Sequence, residues 1–163
     1  MTEVNPTLPL PPRVVVVGVG NPDRGDDAVG LMVARCLQRQ APHEVTVLTH
    51  NGDATTLLEV WQHAEAVVLV DAVSSGAVPG TIHRIEAHDR AIERAFLHSS
   101  THTFGVAEAI ELARALGQLP AYLVVYGIEG QTFEVGSDLS TEVSQAISEV
   151  VSRVCQDLSA LSP

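Results

Sequence analysis

The chain has 163 residues, a formal net charge of −11 and nine cationic side chains, all of them arginine. So acidic a surface repels phosphate backbones, which argues against a nucleic-acid partner. Its 45% hydrophobic and 18% charged residues are ordinary for one globular domain, and no apolar stretch reaches the length of a membrane span.

Residues 1–12, MTEVNPTLPLPP, hold four prolines and lack a basic stretch followed by an apolar one. They read as a flexible proline-rich arm and not as a signal peptide. Residues 13–163 then form a single domain, with the cytoplasm as the default location. Strand candidates are 13–18, 44–50, 66–71, 81–86 and 121–127. Helix candidates are 27–40, 54–63, 89–97, 105–117 and 140–160. Their alternation predicts an α/β fold with a mainly parallel sheet covered on both faces. The run Ala66-Val67-Val68-Leu69-Val70-Asp71 is apolar without alternation, as a central strand requires. Thr81–Glu86 is more polar and follows Pro79-Gly80, so it fits an edge strand, with an antiparallel direction open to it.

Helix 105–117 gathers Val106, Ala109, Ile110, Ala113 and Leu116 on one face. Helix 140–160 carries a stripe of Val143, Ile147, Val150, Val154 and Leu158 that continues to Leu161. Cys36 and Cys155 fall on helical patterns without a CxxC and are expected to be buried free thiols.

The informative stretch lies between the first strand and the first helix: Gly18-Val19-Gly20-Asn21, then Asp26-Asp27. A dinucleotide fingerprint would need a third glycine at position 23, which is Asp23, and its pyrophosphate would face further carboxylates at the helix start. A phosphate-binding Walker loop needs a lysine that the chain lacks. Acids at a helix mouth can cap it, but they can also attract a cation. Asp26 as the cap with Asp27 turned into the cleft satisfies both. Asp71 closes the most apolar strand, level with the first loop, where it can start a turn or face a ligand. His102 precedes helix 105–117; the other six histidines read as ordinary polar residues. Asp27, Asp71 and His102, from three loops, are a plausible ligand set for a borderline divalent metal, with coordination positions left open. No GxSxG elbow, HExxH or cysteine motif competes.

Taken in order, Gly18-Val19-Gly20-Asn21, Asp26-Asp27-Ala28-Val29-Gly30, Val70-Asp71-Ala72, His102-Thr103-Phe104-Gly105, Gly127-Ile128-Glu129, Phe133-Glu134 and Leu139-Ser140 resemble the nickel–iron hydrogenase maturation endopeptidases. The resemblance implies a three-layer αβα peptidase domain with a five-stranded twisted sheet. It implies that Asp27, Asp71 and His102 are the metal positions, with Gly18, Gly20, Asn21 and Asp26 as the supporting turn. The activity it implies is removal of the C-terminal extension from the hydrogenase large-subunit precursor, with nickel arriving in that precursor. Relatives often carry Glu at the place of Asp27. They commonly have a glycine–threonine pair where this chain has Asn51-Gly52-Asp53-Ala54, a difference that bears on the cleft wall. Whether metal, water or one of the carboxylates acts directly stays open here, as do the identity of the precursor and the oligomeric state. A checker that senses nickel in the precursor without cutting it would use the same donors.

Overall fold

A computed structural model describes residues 13–89 and 105–161. The arm 1–12, His102 and the predicted helix 89–97 except Asp89, which sits in a turn, lie outside the described residues.

Val14–Val19 is β-branched at every position but Gly18 and forms the fully buried strand β1. Val45–His50 (β2) pairs with it in parallel on one side, and Ala66–Val73 (β3) on the other. Tyr122–Glu129 (β5) continues the sheet in parallel from β3, and Ile82–Glu86 (β4) closes it antiparallel to β5. The order β2-β1-β3-β5-β4 puts the polar strand at an edge, as its composition predicts, and settles its direction.

Alternate residues of the strands feed two separate cores. Val14, Val16, Val68, Val70, Val124 and Tyr126 pack with helices α1 (Val29–Gln40) and α4 (Thr141–Leu161). Val15, Val17, Val67, Leu69 and Val125 pack with α2 (Ala54–Trp61) and α3 (Val106–Ala115). These are the three layers of an αβα fold. Each large side chain buried in them contributes about 1.5–3 kcal/mol.

The connections from β1 leave in one direction and those into β3 in the other, because α1 and α2 cover opposite faces. That reversal opens a crevice between the carboxyl ends of β1 and β3, the place where such sheets bind ligands. Glycine keeps the first helix close below it. A Cβ on Gly18 would overlap the carbonyl oxygen of Gly30 in α1, and one on Gly30 would strike the carbonyls of Val19 and Val70.

Some expectations need correction. The first helix is α-helical only from Val29; Gly25–Ala28 form a 3-10 turn before it. β3 and β5 run two residues past their predicted ends, through Asp71 to Val73 and through Gly127 to Glu129. Leu116 is not on a buried face: α3 stops at Ala115, and Leu116 is 57% exposed beyond it. Cys36 and Cys155 are free as expected but only half-buried, both lining one groove between α1 and α4. Among the described residues no helix is long and apolar enough to cross a membrane.

Candidate active site

Asp27 and Asp71 come from different elements at the crevice, the 3-10 turn after β1 and the strand β3. Gly18 pairs with Val70 across the β1–β3 ladder, so Asp71 lies one step further along β3, level with Val19. Asp27 sits in the 3-10 turn that follows β1. Its peptide rests directly on Gly20, where a Cβ would overlap the Asp27 carbonyl oxygen. Glycine is therefore needed at position 20 for close approach, and this fixes where Asp27 stands. The two carboxylates are 4% and 2% exposed.

Asp27 acts on Asp71. The Asp71 carboxyl is held well above the usual aspartate range, first by burial and then by the negative charge of Asp27; a hydrogen bond from the Ala72 N–H opposes both. That bond, 2.8 Å long, engages Oδ1 and leaves Oδ2 as the oxygen for a proton or a ligand. Burying two like charges together is costly unless a cation or a proton comes between them. The donor chemistry thus suits a divalent cation. Among the described residues no group of three His, Cys, Asp or Glu side chains is arranged to hold an ion, so the pair would need further donors. His102, the expected third donor, lies outside the described residues. Gly105, three positions later, heads α3, and the other end of α3 leads within seven residues to the start of β5. The head of α3 therefore points toward the same rim.

Asp26 has a different job from the one expected. It does not cap α1, whose start has no side-chain cap. The 3-10 turn carries Asp26 across to the loop between β5 and α4, where it is wholly buried. Its Oδ2 accepts from the N–H groups of Gln131 (2.7 Å) and Thr132 (3.1 Å) and from Ser140 Oγ (2.9 Å); its Oδ1 accepts from Ser140 N–H (2.7 Å). Backbone bonds join the same loops: Asp26 N–H donates to Thr132 O, Gly25 N–H to Ser137 O and Gly136 N–H to Asp23 O. Asn21 closes its own turn by accepting from Asp23 N–H at 2.9 Å.

Sequence reasoning gave Glu129 no role of its own. It ends β5, is 2% exposed, and accepts from Ser75 N–H, Ser75 Oγ–H and Gly76 N–H at 2.7–3.1 Å, with His83 Nε2 at 3.3 Å. It ties the loop after β3 to the end of β5 and so braces the crevice. The available signal was the one used for Asp71: an acid closing an apolar strand. The loop after β2 is tied by its own side chains. Asp53 caps α2 by accepting from Thr56 N–H, Asn51 Oδ1 accepts from Asp53 N–H, and His50 Nδ1 accepts from Gly52 N–H.

The model of the hydrogenase maturation protease family (HycI) matches residues 31–157. The chain belongs to the hydrogenase maturation protease family. It is 28% identical over 156 residues to the hydrogenase expression/formation protein HupD of Rhodobacter capsulatus, covering 92% of this chain and 73% of that protein. It is 26% identical to the hydrogenase 2 maturation protease of Escherichia coli, covering 87% and 88%. Its fold matches the hydrogenase maturating endopeptidase HybD from E. coli with a TM-score of 0.75 at 23% identity, over 91% of this chain and 93% of that one. Membership makes the chain an endopeptidase of hydrogenase maturation and agrees with the αβα architecture expected from the motifs.

Proposed function

We propose that this chain removes the C-terminal extension of a nickel–iron hydrogenase large-subunit precursor after nickel has been inserted, and that it recognises the nickel through Asp27, Asp71 and His102. The observation that carries this reading is the burial of Asp27 and Asp71 together at the β1–β3 crevice, where Asp71 feels the charge of Asp27, in a member of a family of maturation proteases. Two buried carboxylates hold a free ion weakly when other donors are few. They can nevertheless complete the shell of an ion the substrate already carries.

In this reading nickel belongs to the substrate. Bound at the crevice, it supplies Lewis-acid polarisation of the scissile carbonyl. The chain's own contribution is position and proton transfer. Gly20 and the 3-10 turn seat Asp27, the β1–β3 ladder seats Asp71, and the Asp26 and Glu129 anchors hold the surrounding loops against displacement. With Oδ1 held by Ala72 N–H, Asp71 offers Oδ2 either to the nickel or, in place of that bond, as general base or acid toward water or the leaving amine. The setting for this maturation step is the cytoplasm.

Purified precursor, with and without nickel, is incubated with the protein and read by mass spectrometry. Loss of one fixed C-terminal peptide from the nickel-loaded form alone is the expected result. Binding without shortening would make the protein a nickel checker. Equal shortening of nickel-free precursor would remove nickel recognition from the reading.

A further inference from the structure

We propose that Arg24 is a substrate-anchoring residue that binds a carboxylate of the precursor beside the scissile bond; this rests on the precursor-trimming reading above. Arg24 opens the 3-10 turn, and its carbonyl accepts from Asp27 N–H at 3.1 Å, so it is fixed one turn from a proposed metal position. Among the described residues it is the one arginine in a loop at the carboxyl ends of the parallel strands. Arg13 lies at the opposite end of β1, and the others lie within α1, β4, α3 and α4.

Its bonding differs from that of the arginines in β4, α3 and α4. Arg84, Arg114 and Arg153 each pair with carboxylates. Arg24 has Asp23, Asp26 and Asp27 within three positions, yet no ion pair joins it to any of them. Asp26 is taken up by the loop after β5, and Arg24 Nε–H donates to Phe133 O at 3.1 Å, which turns the guanidinium toward that loop. Among the described residues its two terminal amino groups have no partner, while the residue is half-buried. A tethered, preoriented guanidinium with a free fork matches a carboxylate, which it can hold by two parallel bonds. In a substrate-trimming site that carboxylate is either an acidic side chain flanking the scissile bond or the new C-terminus that hydrolysis releases.

The test compares wild type with Arg24→Ala, Arg24→Gln and Arg24→Lys on nickel-loaded precursor, measuring KM and kcat separately with a thermal melt of each variant. Arg24→Ala and Arg24→Gln are expected to raise KM about tenfold to a hundredfold with kcat little changed, and Arg24→Lys to recover part of the loss. Trimmed large subunit that inhibits wild type but not Arg24→Ala identifies the new C-terminus as the partner. If instead neutralising acidic residues near the cleavage point raises KM for wild type alone, the partner is a side chain. A wild-type KM in correctly folded Arg24→Ala and Arg24→Gln overturns the proposal and leaves the trimming reading intact. Failure of wild type to shorten the precursor overturns the trimming reading itself.

Discussion

Asp26 and Asp27 are neighbours of the same chemical type, both buried, and they do opposite things. Asp26 receives four hydrogen bonds from the loop after β5 and is chemically spent as a clamp. Asp27 is set against a second carboxylate, Asp71, whose proton affinity it raises. Burial alone therefore does not mark a functional acid. What distinguishes the two is that Asp26 is taken up by one neighbouring loop, whereas Asp27 stands beside a second buried carboxylate. Stability and activity should accordingly separate across this one peptide bond.

The largest effect is expected on the Asp27–Asp71 side. Asp27→Ala and Asp71→Ala should each slow processing of nickel-loaded precursor by about a hundredfold to ten-thousandfold, with circular dichroism and melting cooperativity retained. His102→Ala belongs to the same experiment and should behave alike. Unimpaired trimming by all three variants would remove the site. Asp26→Ala should do the reverse. It strands three backbone N–H groups and loosens two loops, costing about 2–4 kcal/mol. Denaturant melts should show this as a lower midpoint, and activity per folded molecule should fall far less than in the Asp71 variant.

The comparison also shows what the sequence could reveal. β1, β3 and β5 were legible because central parallel strands are apolar on both faces and need no alternation. Their carboxyl ends were not, because Asp71 and Gly127 interrupt the apolar pattern while the ladder continues through them to Val73 and Glu129. Asp71, at the end of one reading, lines the crevice, and Glu129, two residues past the end of the other, braces it. Asp27 and Asp71 could be placed at one rim, since loop position follows from strand order. The role of Asp26 could not, because its partners lie more than a hundred residues away and only the folded chain brings Ser140 to it. Cap chemistry was a sound local expectation, and a tertiary contact displaced it. Glu129 escaped for the same reason: its donors, Ser75 and Gly76, lie 54 and 53 residues earlier in the chain.

A smaller effect sharpens the contrast further. Glu129→Gln retains the size of the side chain and one acceptor, but exchanges the other for an amide facing Ser75 and His83. It should cost about 1–2 kcal/mol and raise KM before it lowers kcat, because the loop it braces belongs to the wall and not to the reacting pair. Steady-state kinetics beside a urea melt separates the two.

The smallest shift, and the one whose sign decides most, is in stability against pH. The folded-state pKa of Asp71 is raised, so between the unfolded value, about 3.9, and its folded value the native state binds more protons than the unfolded chain. Its contribution to stability is therefore full below about pH 4 and is lost as pH rises through the folded pKa. Asp71→Asn cannot ionise, yet its side-chain oxygen can still accept from Ala72 N–H. In metal-free protein the variant should thus melt higher than wild type at neutral pH, with the advantage shrinking toward pH 4, while trimming is lost. Asp26→Asn should instead melt lower than wild type, because the amide that replaces one oxygen presents donors to backbone N–H groups that are themselves donors. If Asp71→Asn gains nothing between pH 4 and 8, the two aspartates are not held in the conflict that sets this site apart from its neighbouring clamp.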